Sequence, residues 1–519
     1  SNQVDVMGLQ ATLYLNGQEC DIREIQMLRP RDIEKIEYHD APSGKYAKDK
    51  LVVNFITKQY RYGGYVQADG LQTIGYDHGD YNVANNYVKG NNSYTVFAGA
   101  NYSHVDGTET WNNENYQFPQ SLFDRESYSK NSYRNHQEYM QFRYQNQKGK
   151  RYWVGKFTLV NLSTPRNASF GFARESTETD IFSNIRKKSL SPKIDLNANL
   201  PLSKNQTLTL GVHGKYSVNS YHRLYQEQPF EAMTDEDEKA LWFQLSAIYN
   251  YFSQKHSLSV ELFHYHDVWN ADYSGNCELW QHLWKGESLA FFSYNFQASR
   301  RLSLKTRIGL DWLQYHLHGD NSFSQLSPRI NTNVQYQLNK GMLLWSFNFV
   351  NSNHGMDVIN RAMIQVNSHM MEKGMPELKK SHDINTYLYY MGRFNRLSVS
   401  AIGQFRYNHH PVTDDYYLDE ANGKIVKTYS NGGNAQYYSA ILALQYKLCK
   451  FANLSGDIRY NHAEVKTTWS KHNNNLTGNL GLNMFMGDFA LKPYLHFGKK
   501  SLDEAALVIS KTPIDYGMS

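Results

Sequence analysis

Apolar and polar residues alternate with a period of two over most of this chain. In Leu302 to Trp312, Leu302, Leu304, Ile308, Leu310 and Trp312 share one face of an extended segment, while Ser303, Lys305, Arg307, Gly309 and Asp311 share the other. The same alternation sets Tyr94, Val96, Ala98, Ala100 and Tyr102 against Thr95 and Asn101. It recurs at Leu208, Leu210 and Val212, and again at Leu454, Ile458 and Tyr460. Each stretch predicts a β-strand with one face for an apolar medium and one for water. A soluble sandwich also satisfies that pattern, so the connections have to decide. Short turns fall near Gly90, Lys148, Lys204, Gln254, Arg300, Lys340, Asn395, Lys450 and Gly487. The segments between them are roughly 40 to 55 residues long, enough for two strands and a loop. Long polar stretches at His104–Ser127, Pro165–Asp180, Tyr221–Glu238, Val350–Ser381 and His409–Ala435 are expected as those loops. Short turns on one side and long loops on the other are the signature of a transmembrane barrel, with about 20 strands counted from Tyr60 onward.

Composition changes this picture less than it first suggests. The 519 residues are only 40% apolar, with a mean hydropathy of -0.66, and no apolar run reaches the roughly 20 residues of a membrane helix. A barrel strand crosses with about 9 to 11 residues and exposes only alternate ones to lipid, so low mean hydropathy is compatible with a barrel. Forty Tyr, 25 Phe and 9 Trp fit the aromatic girdles of such a barrel. A soluble propeller or solenoid is disfavoured by the absence of a fixed-period repeat. A net charge of +5 without a basic cluster gives no support to nucleic-acid binding. Cys20, Cys277 and Cys449 are too scattered for a disulfide framework or a zinc site.

The first 58 residues carry more specific information. They read Leu13-Tyr14-Leu15-Asn16-Gly17, then Asp32-Ile33-Glu34-Lys35-Ile36-Glu37-Tyr38, then Pro42-Ser43-Gly44-Lys45-Tyr46, and close on Val52-Val53-Asn54-Phe55-Ile56-Thr57-Lys58. In order and spacing this resembles the second half of the plug of TonB-dependent outer-membrane receptors, of the kind abundant in Bacteroidetes. Gly374-Met375-Pro376-Glu377-Leu378-Lys379 resembles, in part, a segment that precedes a late barrel strand in that family.

The resemblance implies an all-β chain: a transmembrane antiparallel barrel with about 20 of an expected 22 strands, and an N-terminal plug remnant. Residues 1–58 would be the C-terminal half of the plug and 59–519 the barrel, without its last strands. The export signal and the segment that meets the TonB energy-coupling complex would lie upstream. Outer-membrane lipid is then a partner, and a surface lipoprotein a possible one.

The implied function is active nutrient import (an iron chelate, oligosaccharide or peptide) at the bacterial outer membrane. The alternative is a non-transporting barrel scaffold within a multi-protein assembly. The plug motif residues are Ile33, Glu34, Ile36, Glu37, Pro42, Tyr46, Asn54, Thr57 and Lys58. Glu34 and Glu37 are candidates to lock the plug against lumen-facing groups, among them Lys305, Arg307, Asp311, Asp457 and Arg459.

Other chemistry gives less. His354, Met356, Met363, His369, Met370, Met371, Met375 and His382 offer thioether and imidazole donors suited to copper, but Met equally fills apolar gaps. The pairs His264 with His266 and His409 with His410 fit interfacial or loop positions as well as a binding role. Aromatics such as Trp111, Tyr116, Tyr416 and Tyr417 suit ligand stacking or loop packing alike. No nucleophile elbow, zinc helix motif or phosphate loop is present, so no enzyme, cofactor or resident metal is expected.

Overall fold

The computed structural model describes residues 4–6, 9–20, 22–26, 28–39, 52–58, 62–75, 77–118, 121–320, 322–352, 355–486, 489–503 and 505–518. Pro42, Tyr46, His354 and the turn at 487–488 lie outside them.

The N-terminal residues form a small mixed sheet in the order Val4–Val6, Leu9–Leu15, Val52–Thr57, Ile33–His39, with Gln18–Glu19 folded back on Leu9–Leu15. Leu9–Leu15 and Val52–Thr57 run parallel, which requires a crossover, and the short helix Ile22–Gln26 lies within it. The hairpin between Leu15 and Gln18 turns at Asn16 and Gly17, whose φ values of 52° and 80° are those of a type I′ turn. One sheet face packs Ala11, Leu13 and Val53 against Ile22 and Ile25 of the crossover. Tyr14 and Val52 are buried on the other.

From Tyr62 onward the chain builds one closed antiparallel barrel. Phe489–Leu491 and Pro493–His496 both pair with Ser470–Met486 in one continuous register, so they are a single strand interrupted next to a proline that has no N–H to donate. Counted that way the barrel has twenty strands, and Asp515–Met518 closes onto Tyr62–Thr73. The short turns stand where the alternation places them, at 90–91, 149–150, 204–205, 253–255, 298–301, 339–340, 395–396 and 448–451. The two faces differ as expected: Ile308, Leu310 and Trp312 are about half exposed on the outside, whereas Asp311 between them is fully buried. Tyr62, Tyr87, Tyr94 and Tyr144 touch one another in series at 6.1, 6.3 and 5.3 Å, forming part of an aromatic girdle near the short-turn end.

Three of the expected loops are strands. Asn92–Phe118, Ser121–Lys148, Arg151–Arg174, Glu178–Ser203, Gln206–Glu227 and Phe230–Phe252 are 27, 28, 24, 26, 22 and 23 residues long. About 10 residues cross a membrane, so each projects more than a membrane's thickness further. The polar stretches His104–Ser127, Pro165–Asp180 and Tyr221–Glu238 are these projecting halves. Beyond the bilayer a strand needs no apolar face, only neighbours for its backbone hydrogen bonds, and a polar sequence therefore remains a strand there. Among the described residues, 355–380, 410–433, 497–503 and 505–514 leave the barrel wall at length.

Candidate functional site: the occupied lumen and the covered mouth

The plug is fixed internally by Asn54. Its side-chain oxygen accepts the Gly17 N–H at 2.9 Å, and its amide donates to Glu37 Oε2 at 2.8 Å. Asn54 is buried, so Asn54→Ala strips the Gly17 N–H of its acceptor and Glu37 of one of its donors, and should destabilise the plug by about 1–3 kcal/mol. Hydrogen exchange at Val52–Thr57 reads that loss without involving the barrel. Thr57 bonds Asn16 through both its N–H and its hydroxyl, and Lys58 Nζ donates to the Arg31 carbonyl at 2.7 Å. Ile33 is half-buried, while Glu34 and Ile36 are exposed. Glu37 also pairs with Lys35 at 2.7 Å.

The described charged contact between plug and wall is made by a residue the motif does not contain. Glu24, on the helix Ile22–Gln26, is 1% exposed and lies 3.6 Å from both Arg143 Nη1 and Lys156 Nζ on two adjacent barrel strands. Lys156 in turn approaches Asp195 at 3.8 Å, and Asp195 takes Lys193 at 3.2 Å and His213 at 2.8 Å. The alternation that turns Val154 and Thr158 inward also turns Lys156 inward, but sequence spacing alone does not link it to Glu24. A second contact stacks the Arg29 guanidinium 4.1 Å from the Tyr65 ring, with Asp32 holding Arg29 at 2.6 Å.

The wall residues singled out from the sequence pair chiefly with other groups of the wall and its loops. Arg307 donates to Glu261 at 2.7 and 3.0 Å and lies 3.4 Å over the Phe291 ring, with Lys305 next along the same inward face. Asp311 Oδ2 accepts from Arg329 at 2.6 and 2.9 Å and from Lys380 Nζ at 3.0 Å. Asp457 accepts from Asn479 at 2.9 Å, and Arg459 is exposed on the lumen side. Lys380 ends the excursion 353–380, so its ion pair seats that loop on the wall. Within the loop, a Cβ at Gly374 would come 2.3 Å from the Asn360 carbonyl, so only glycine fits there.

The two excursions 353–380 and 410–433 meet in a four-stranded sheet in the order Ile364–Gln365, Met370–Glu372, Lys424–Ser430, Thr413–Asp419. Ile425 and Val426 point to opposite faces and both are buried, so this sheet is covered on its two sides. It reaches across the barrel mouth. Arg223 donates to the carbonyls of Gln365, at 2.9 Å, and Val366. Ser368 donates to Glu227 at 2.9 Å, and His369 lies 2.9 Å from Glu175. The strands bearing these anchors stand six and eight places round the ring from Gly341–Ser352, where the excursion starts. Arg125 binds Glu227 at 2.7 Å beneath this anchor, and although burial would push the Glu227 carboxyl up, that bond and charge hold it below its usual range.

The donors proposed for copper are dispersed. Met356 packs on Leu283, Leu317 and Ile359, Met370 is buried in the covering sheet, and His382 stacks on Phe349. Among the described residues no cluster of three His, Cys, Asp or Glu is placed to hold a metal. His264 and His266 lie on the outer face of a strand beside Phe243, with Trp284 against His266, and His409 and His410 stack at 3.9 Å at a strand end.

The overall fold, a small mixed sheet with a wide antiparallel barrel, is shared with solved structures. The copper transporter OprC matches with a TM-score of 0.64 at 11% identity, over 98% of this chain and 81% of that one. The chain has the plugged-barrel fold of TonB-dependent outer-membrane receptors. The pyoverdine outer membrane receptor FpvA from Pseudomonas aeruginosa PAO1 matches with a TM-score of 0.60 at 10% identity, over 99% and 81% of the two chains. The siderophore receptor PirA from Acinetobacter baumannii matches with a TM-score of 0.57 at 11% identity, over 99% and 85%. No family model and no curated protein matches the sequence. In this fold, Glu24 with its two cations and Arg29 on Tyr65 are described contacts between the small sheet's domain and the barrel wall, and the covering sheet lies over one mouth of the barrel.

Proposed function

We propose that the protein is an outer-membrane importer in which energy supplied from the periplasmic side displaces the plug and admits a nutrient. The observation that carries this reading is how the plug is held. Its described polar links to the wall are the Glu24 cluster and the Arg29 stack on Tyr65, while its own core of Ala11, Leu13 and Val53 is internal. A domain with a separate core and a few charged fastenings can move without unfolding the barrel around it. Among the described residues its N-terminal strand Val4–Val6 is at the sheet edge and pairs with Leu9–Leu15. Tension on the residues before it would break these bonds one after another, the route of least resistance for an antiparallel pair.

In this reading the TonB complex is the source of that tension, and the covering sheet opens to cargo before the plug yields. Deleting the gene in its host should abolish growth on one limiting cargo class among iron chelates, oligosaccharides and peptides. The intact gene should restore that growth, and a protonophore should remove accumulation of the cargo. Undiminished growth of the deletion strain on all three classes would contradict import.

A further inference from the structure

Between the projecting wall and the covering sheet lies a cavity of about 350 Å³, lined by Glu114, Tyr116, Phe123, Arg125, Glu175 and His369 among others. Its charge does not balance. Arg125 is the buried cation, and its bonds are committed: 2.7 Å to Glu227, 2.9 Å to Glu175 and 3.0 Å to the Tyr225 hydroxyl, with Glu114 more distant at 4.0 Å. Three carboxylates, Glu227, Glu175 and Glu114, therefore surround one guanidinium and one imidazole, which leaves one negative charge in excess even with His369 protonated. Glu114 and Glu175 keep about a third of their side-chain surface accessible, so their charge is presented to the cavity rather than spent within the wall.

The remaining walls are aromatic. Tyr116 packs on Tyr416 at 5.8 Å and Phe123 on His369 at 6.0 Å, which joins rings of the barrel to rings of the covering sheet across the space. Carboxylates beside aromatic faces, partly shielded from water, favour an organic cation, whose charge they meet by ion pairing and by the ring quadrupole. An anionic ligand would meet net repulsion, and a bare metal finds no cluster of donors here.

We propose that this cavity binds the ammonium or guanidinium group of an amine-bearing cargo, such as a basic peptide, as it enters the mouth. The proposal deepens the import reading and rests on that end being the outer one.

Calorimetric titration of the purified full chain in detergent tests it, with the peptide acetyl-Lys-Lys-Lys-amide and the same peptide carrying acetylated lysines as probes. The expected result is binding of the first and none of the second, with affinity falling steeply between low and high salt. The variant Glu114→Gln leaves the Arg125–Glu227 bond in place and should lose about tenfold or more in affinity. Retention of the heat-modifiable electrophoretic shift would show it folded. No heat from tri-lysine with the unaltered protein, equal binding of both peptides, or insensitivity to salt would each overturn the proposal. A plug that still gates conductance in that same preparation would leave the import reading standing.

Discussion

Asp311→Ala should cost the barrel about 3–5 kcal/mol and release the loop that ends at Lys380. Asp311 is fully buried, and its Oδ2 accepts both Arg329 and Lys380, whose own side chain is 1% exposed. Alanine would leave the Lys380 ammonium buried without its ion-pair partner. Arg329 would keep Glu287 at 2.9 Å, so the larger share of the cost falls on Lys380. The loss should be read in denaturant unfolding of vesicle-reconstituted protein, together with new tryptic cleavage after Lys373 or Lys379. The double variant Asp311→Leu, Lys380→Met removes both charges and should recover most of the loss, because a buried pair replaced by apolar groups is often neutral. An Asp311→Ala loss under about 1 kcal/mol with an uncut loop would mean that this ion cluster does not seat the cover.

Glu24→Gln is the second large effect, and it should fall on the plug rather than on the barrel. Arg143 is 5% exposed and Lys156 is largely buried, and with Glu24 neutralised Arg143 keeps a bond to the neutral Gln145 at 3.1 Å while Lys156 is left to Asp195, which already serves Lys193 and His213. Loss of one partner from such a buried cluster costs about 3 kcal/mol. The plug should then leave the lumen at a urea concentration lower by roughly 1 M or more, while the barrel's own unfolding midpoint stays where it was. Glu34→Gln, on an exposed plug carboxylate, serves as the control and should shift neither transition. A common shift of both transitions in Glu24→Gln would show plug and barrel to be one cooperative unit.

The fold was largely legible because its cause is local. Period-two alternation and turn residues place a strand and its end without knowledge of its neighbour, which is why the turns at Gly90, Lys148, Lys204 and Lys340 could be placed to within a residue or two. What failed was the boundary between strand and loop beyond the membrane. There the apolar face disappears, and the polar run Pro165–Asp180 has the same composition whether it pairs or not. The site was less legible for a related reason. Motif resemblance drew attention to Glu34 and Glu37, but a plug-to-wall contact is set by tertiary placement, and Glu24 sits in a five-residue helix with no distinguishing pattern. Parity groups Arg307 and Asp311 on one face of their strand, yet their partners, Glu261 and Lys380, come from 46 and 69 residues away.

The central claim is that a wide barrel is kept shut by a separately folded, displaceable plug. Single-channel conductance in planar bilayers tests it most directly, comparing the complete chain, the complete chain with urea on the plug side, and residues 59–519 alone. The account predicts silence from the complete chain, reversible openings under urea at concentrations that leave the barrel folded, and persistent large steps from residues 59–519. Steady conductance from the complete chain, or silence from all three, would contradict it.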